Sequence, residues 1–402
     1  MSLLPVGEAL ARLLDSAAAE TPRAVEQIAL SEALGRVLAT SVQAKCDVPP
    51  WDNSAMDGFA LHSTDIPLAC AQGLPISQRI TAGMAPGPLV PGTCARIFTG
   101  APLPQGADTV EMQENVEVDA TGRARFLQPL RPGQNVRPRG QDIIAGTTLF
   151  DAGHLLLPQD MGVIASVGVS SVQVSAPLRV AILSTGDELV EPGTPLGGGQ
   201  IYNSNRYTLL GAVERLGQQV VDAGILPDEP AATRQRLEQL SQQADVILTS
   251  GGVSVGEADY LGQALREHGE VDLWKLAIKP GKPFTLGRFA GTPVLGLPGN
   301  PAASLVTYLL LVKPYLLRRL GCQAVKPQSV PVPASFSWNK PGSRDEYLRA
   351  HLGTAGIELT GNQSSGILST ASRAQGLVLV PAGTQVQPGQ PLSYFPFTGL
   401  LG

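Results

Sequence analysis

Near the amino terminus, apolar residues recur at helical spacing: Leu10, Leu13 and Leu14, then Ile28, Leu30, Leu34, Val37 and Leu38. That spacing predicts two amphipathic helices, over residues 7–20 and 27–39, leading into the body of the chain. The pattern then breaks. From about residue 45 to 150, short β-prone pieces are separated by Gly and Pro, as in a small β domain with long loops. Residues 151–174 return to a helix-and-strand mixture that can rejoin the amino-terminal helices. From 178 to about 320, apolar strands alternate with helical stretches near 205–216, 231–243, 260–267 and 302–320. Such alternation predicts a layered α/β domain with a largely parallel sheet. After Gly321, residues 327–333 read as a linker into short strands at 346–351, 356–359 and 377–380, a small all-β carboxyl-terminal domain.

Three of the apolar strands end in small-residue turns that carry polar groups: Ser184-Thr-Gly-Asp-Glu188, Thr249-Ser-Gly-Gly252 and Leu297-Pro-Gly-Asn300. In an α/β sheet such turns gather at the carboxyl edge, so residues far apart in sequence converge on one ligand. Glycine in these turns lets backbone N–H groups approach an anion. An acid follows two of the strand ends, Asp228 after the 220–226 strand and Asp259 after the glycine loop. Either holds a divalent cation beside phosphate or simply caps a helix. Lys275, Lys279 and Lys282 surround a turn stiffened by Pro280 and Pro283, a site for phosphate or another oxyanion. Asn300 is placed to cap the helix that follows it.

Composition narrows the function classes. The chain has 402 residues and a net charge of −5, which gives no global field for attracting nucleic acid. Cys46, Cys70, Cys94 and Cys322 are scattered without a C-x-x-C pair and read as core thiols of a reducing compartment. The amino terminus lacks the basic start and apolar stretch of a secretory signal, and the longest apolar run, 302–312, is too short for a membrane helix. A soluble cytoplasmic protein is expected. Gly281-Lys282 is followed by proline, so there is no P-loop, and neither a dinucleotide fingerprint nor a zinc-binding histidine pair is present.

Seven motifs occur together: Pro49-Pro-Trp-Asp-Asn-Ser-Ala-Met-Asp-Gly-Phe59, Thr99-Gly-Ala-Pro-Leu-Pro104, Arg139-Gly-Gln-Asp142, Ser184-Thr-Gly-Asp-Glu-Leu189, Ser250-Gly-Gly-Val-Ser-Val-Gly256, Lys279-Pro-Gly-Lys-Pro283 and Leu297-Pro-Gly-Asn-Pro301. In kind and order they resemble the molybdopterin molybdenumtransferases, the MoeA family, which includes the carboxyl-terminal domain of gephyrin. The resemblance spans nearly the whole chain. It implies a multidomain α/β and β fold: an amino-terminal helical and strand-containing domain from separated segments (1–44 with 151–177), an inserted β-rich domain (45–150), a MogA-like molybdopterin-binding α/β domain (178–326) and a β-barrel-like domain (327–402). It also implies a homodimer whose inserted domain faces the α/β domain of the second copy, and leaves open contact with the upstream adenylyltransferase.

The activity that this resemblance implies is insertion of molybdenum from molybdate into adenylylated molybdopterin, with Mg2+-dependent release of AMP. Carried onto this sequence, Asp187, Glu188, Asp228 and Asp259 resemble the acidic group around metal and nucleotide, with Glu188, Asp228 and Asp259 as metal ligands. Asp57, Thr99 and Asp142 join Glu188, Asp228 and Asp259 as implied catalytic residues. Ser250, Gly251 and Gly252 resemble the phosphate-facing loop, and Lys275 and Lys279 the pterin-phosphate or nucleotide contacts. Lys282, Pro283, Arg344 and Ser364 resemble the molybdate pocket, where fixed cationic donors suit a tetrahedral dianion. Two positions depart from the pattern: Ala303 stands where the family often has serine, beside Ser304, and Gly366 where relatives can carry a basic residue. The rival readings are the preceding adenylyltransferase step, which uses the same α/β domain, and a gephyrin-like scaffold.

Overall fold

The computed structural model describes residues 3–227, 229–252 and 260–401. Its centre is a six-stranded sheet in the order Gln219–Leu226, Arg179–Thr185, Val246–Ser250, Thr292–Leu297, Pro283–Phe289, Gly269–Lys275. The first four strands are parallel and the last two run antiparallel to their neighbours. Alternate residues of the central strands enter two separate cores. Ile182, Leu248 and Leu295 pack on one face, while Ala181, Leu183, Ile247 and Val294 pack on the other. Burial on both faces explains why these strands read as continuous apolar runs.

Helices Ser204–Arg215, Pro230–Gln243 and Tyr260–His268 accompany the sheet. The stretch expected to be one helix over 302–320 is helical throughout but contains a π turn, Tyr308–Val312, between α-helices Pro301–Thr307 and Lys313–Arg319. Pro314 offers no N–H to the preceding turn and its ring crowds the carbonyl four residues back, which accounts for the widening. Helix Val6–Ala18 buries Leu10 and Leu13 against this run, in one cluster with Tyr315 and Leu316.

The second expected helix, 27–39, is not there. Val25–Ala29 is a strand paired antiparallel with Ser171–Ser175, followed by a short 3-10 turn at Leu30–Glu32. A partner strand far along the chain supplies the backbone hydrogen bonds, and tertiary pairing overrides a spacing that suited a helix equally well. Between these two strands in sequence, another six-stranded sheet includes Gly58–Leu61, Leu74–Ile80 and Cys94–Ile97, with Phe59, Leu74 and Phe126 in one core and Ile80, Ile97 and Val110 in another.

A third six-stranded sheet is built on Asp345–Gly353, Gly376–Val380, Pro391–Pro396, Val330–Pro333 and Gly356–Leu359. Its remaining strand comes from elsewhere: Ile278–Lys279 pairs in parallel with the start of Asp345–Gly353, Ile278 opposite Asp345 and Lys279 opposite Glu346. That short pairing joins the lysine turn to the carboxyl-terminal sheet. Among the described residues no helix is long and apolar enough to cross a membrane. All four cysteines are free, but only Cys94 and Cys322 are the buried thiols expected; Cys46 and Cys70 are half-buried.

Candidate active site

The three strand ends converge as their turns predict. In register, Ser184 lies beside Ser250 and Ser250 beside Leu297. The Ser184 and Ser250 hydroxyl oxygens are 3.3 Å apart, and Ser184 also donates to Asn203 Oδ1 at 3.2 Å. Gly251 N donates to Leu297 O at 3.2 Å, closing the loop onto the neighbouring strand. Gly251 has φ +89°, and a Cβ there would lie 2.8 Å from Thr185 O; at Gly252, φ is +63° and a Cβ would lie 2.8 Å from Thr185 Oγ1. Side chains are therefore excluded from this loop by both torsion and space.

A first cleft of about 360 Å³ opens over these ends, between Thr185, Glu188, Asn203, Ser250, Gly251 and Asn300. Asn203 and Asn205, which sequence reasoning missed, furnish much of its polarity. Asn205 Nδ2 donates to Gly299 O at 2.7 Å. Among the described residues, Asn203 Nδ2 and Asn205 Oδ1 are buried without a partner, and unpaired buried polar atoms at a cleft wall suit a ligand that completes them. The only sequence signal was the polar stretch 203–205 opening a helix, where Asn203 accepts from Arg206 N.

An arginine ties the segment after the acidic turn to the edge strand Gln219–Leu226. Arg206 meets Asp222 through Nε at 2.8 Å and Nη2 at 2.5 Å, and Glu191 through Nη1 at 2.5 Å. These contacts, Asp222 foremost, raise the guanidinium pKa against the opposing effect of burial. Glu188 is exposed at the rim, with its carboxylate against Gly186. As a hard oxygen ligand at the cleft rim its carboxylate is of the type that magnesium takes, commonly one or two at a time. Asp228 and Asp259 lie outside the described residues. Among those described, no group of three or more acidic, histidine or cysteine residues forms a metal cluster.

A second cleft of about 400 Å³ adjoins the first through the shared residues Gly299 and Asn300. Lys279, Lys282, Pro283, Arg344 and Ser364 line it together, with Gln363 and Ser365. The pairing of Ile278–Lys279 with Asp345–Gly353 brings these groups together. Lys279 Nζ is 3.0 Å from Glu346 Oε2, a carboxylate only 2% exposed, and Arg344 Nη1 donates to Ile278 O at 3.0 Å. Gly281 (φ +111°) lets the turn pass Thr307, whose Oγ1 a Cβ would meet at 2.6 Å.

Ala303 lines this cleft, whereas the neighbouring Ser304 is buried and does not. The hydroxyls available are those of Ser364 and Ser365. Asn300 holds the position before the helix but makes no side-chain capping bond, contrary to expectation. Lys275 pairs with Pro283 in the sheet and lines neither cleft.

Asp57 and Thr99 meet on the inserted sheet, the Thr99 backbone N–H and hydroxyl both donating to Asp57 Oδ1 at 2.8 Å. Those two donors hold the half-buried Asp57 carboxyl below its ordinary range. Asp142, which is exposed, is tied by its backbone N–H to Val48 O. None of the three lines either cleft of the same chain.

Comparison with known proteins accords with this layout. Residues 4–168 match the MoeA N-terminal region (domain I and II), residues 181–318 a probable molybdopterin binding domain, and residues 331–397 the MoeA C-terminal region (domain IV). The molybdopterin molybdenumtransferase of Haemophilus influenzae is 37% identical, over 95% of this chain and 96% of its own length. The one from a Nostoc species is 38% identical, over 89% and 85%. A crystal structure of the molybdopterin biosynthesis moeA protein from Pyrococcus horikoshii OT3 superimposes with a TM-score of 0.82 at 27% identity, covering 98% of this chain and 100% of that one. Three consecutive domain matches, full-length relatives and a shared fold place this chain in the MoeA family.

Proposed function

We propose that this chain is a molybdopterin molybdenumtransferase, inserting molybdenum from molybdate into adenylylated molybdopterin with release of AMP. The observation that carries the reading is the adjacency of two different clefts across Gly299 and Asn300. The first offers a small-residue loop, amides and hydroxyls, which suit a phosphate-bearing pterin nucleotide. The second offers Lys279, Lys282 and Arg344 around Ser364, which suit an oxyanion through charge-assisted bonds. A dithiolene held at their junction receives molybdenum from the second cleft without leaving the first.

In this scheme Ser250 and Asn203 orient the phosphate side, and Lys282 with Arg344 holds molybdate by charge. Glu188 is the described residue that would hold magnesium, which when bound neutralises phosphate charge next to the adenylate. Asp57, Thr99 and Asp142 act from a second copy of the chain, in a homodimer whose inserted sheet closes over the clefts. In support, Trp51 and Met56 near Asp57 are 51% and 39% exposed, leaving apolar surface for an interface. Free thiols and the absence of a disulfide among the described residues suit the reducing cytoplasm.

The reaction is tested by incubating purified protein with adenylylated molybdopterin, molybdate and magnesium, and quantifying AMP and dithiolene-bound molybdenum together. One AMP per molybdenum inserted is expected. AMP release with no molybdenum on the pterin contradicts the assignment.

A further inference from the structure

Arg349, in strand Asp345–Gly353, is the largest fully buried side chain among the described residues, with no exposed surface. Its Nη2 donates to Asn362 O at 3.1 Å and to Ser364 O at 2.9 Å, and its Nε donates to Thr370 Oγ1 at 3.2 Å. The backbone takes part as well: Arg349 N donates to Gln363 Oε1 at 2.8 Å, and Gln363 Nε2 donates back to Arg349 O at 3.0 Å. Among the described residues the buried guanidinium forms no ion pair, and Nη1 has no hydrogen-bond partner. Burial lowers its pKa, yet arginine remains charged in proteins.

A buried, uncompensated charge is costly, and an apolar side chain of similar volume fills such a space more cheaply. What the charge accomplishes shows in the turn it holds. Gln363, Ser364 and Ser365 line the oxyanion cleft, whereas Arg349 does not. The carbonyl oxygens of Asn362 and Ser364 are therefore drawn inward, and that of Ser365 is occupied by Ala302 N at 3.0 Å. A carbonyl oxygen facing the cleft would repel a dianion. With these oxygens turned away, the charged side chains lining the cleft are the cations Lys279, Lys282 and Arg344, beside the hydroxyls of Ser364 and Ser365.

We propose that Arg349 is a positioning residue of the oxyanion cleft, holding the 362–364 turn with its carbonyls averted and supplying from behind a positive charge that no described carboxylate neutralises. This rests on the molybdate reading of the cleft. The ligand class is a tetrahedral dianion, preferred over a monoanion of similar size.

Calorimetric titration with molybdate alone, without turnover, tests the inference separately from the enzyme activity. Arg349→Gln is expected to weaken molybdate binding roughly tenfold or more, with adenylylated molybdopterin affinity unchanged. Arg349→Lys, which keeps the charge, is expected to recover most of that loss. If Arg349→Gln does not fold, tungstate and perrhenate are compared on the unaltered protein, and tungstate should bind about tenfold more tightly or better. Equal molybdate affinity in Arg349→Gln, equal losses toward both ligands in the Gln and Lys variants, or equal binding of tungstate and perrhenate overturns the inference. Failure of the unaltered protein to bind molybdate at all overturns the reading of the cleft instead.

Discussion

The hydroxyl oxygens of Ser184 and Ser250 lie 3.3 Å apart at the ends of adjacent parallel strands, both buried, with Asn203 accepting from the first. This contact fixes the spacing of two strand ends from which different loops depart. It makes the floor of the phosphate cleft a rigid element rather than a loop, and rigid elements hold binding groups to the tolerance a transfer reaction needs.

The glycine loop on that floor has no room for a side chain. Gly251→Ala places a Cβ 2.8 Å from Thr185 O in a backbone conformation with φ +89°. The strain costs about 1–3 kcal/mol, and relief requires the loop to move away from Thr185. The expected result is a lower denaturation midpoint together with weakened adenylylated molybdopterin binding. Molybdate binding stays close to normal, because Gly251 does not line that cleft. Chemical denaturation and titration of each ligand check both halves.

At the opposite edge of the sheet, Asp245 accepts from Arg179 N at 2.8 Å and pairs with Arg179 and Arg23, each at 3.1 Å. Burial pushes its carboxyl upward, but the Arg179 side chain and backbone N–H, with the Arg23 charge, outweigh burial and hold it below the ordinary carboxylate value. A depressed pKa means the folded state binds its proton less readily than the unfolded chain. The resulting stability is fully present above the ordinary carboxylate value and is lost as pH falls through the lower folded value. Asp245→Asn should therefore be less stable than the unaltered protein at neutral pH, and the two should converge in acid. Since Asp245 is far along the strand from the cleft, ligand affinities should not change. Denaturation midpoints across an acid series, read beside one neutral-pH titration, check the sign.

How much of this was legible in the sequence depended on whether the determining contact was local. The strand ends at Ser184, Ser250 and Leu297 announced themselves, because an apolar run stopped at glycine has few other uses. The helix expected over 27–39 failed because the Val25–Ala29 strand depends on Ser171–Ser175, a partner that local spacing cannot reveal. Arg344 and Ser364 were placed with Lys282 through family resemblance alone; it is the pairing of Lys279 with Glu346 in the sheet that assembles them. Arg349 was invisible, since a single arginine in a strand ordinarily reads as a solvated position and only burial shows otherwise.

The separation of Asp57 and Thr99 from both clefts of their own chain leads to a test by mixing. If they complete the cleft of a second copy, Asp57→Ala and Arg344→Ala chains, assayed at a molybdate concentration too low for Arg344→Ala alone to turn over, regain function in heterodimers that contain one intact cleft. With random pairing, roughly a quarter of the unaltered activity should return. Verified heterodimers without recovery place Asp57 outside the shared site.

The division of labour between the two clefts is tested most directly by titrating molybdate against molybdenum insertion in Arg344→Ala, with adenylylated molybdopterin affinity measured in parallel. Arg344 lines only the oxyanion cleft and is anchored through Nη1 to Ile278 O. Loss of a charge-assisted contact of about 1.5–3 kcal/mol should raise the molybdate concentration needed by roughly one to two decades, with pterin affinity unchanged. Unchanged molybdate dependence together with lost pterin binding would contradict the two-cleft account.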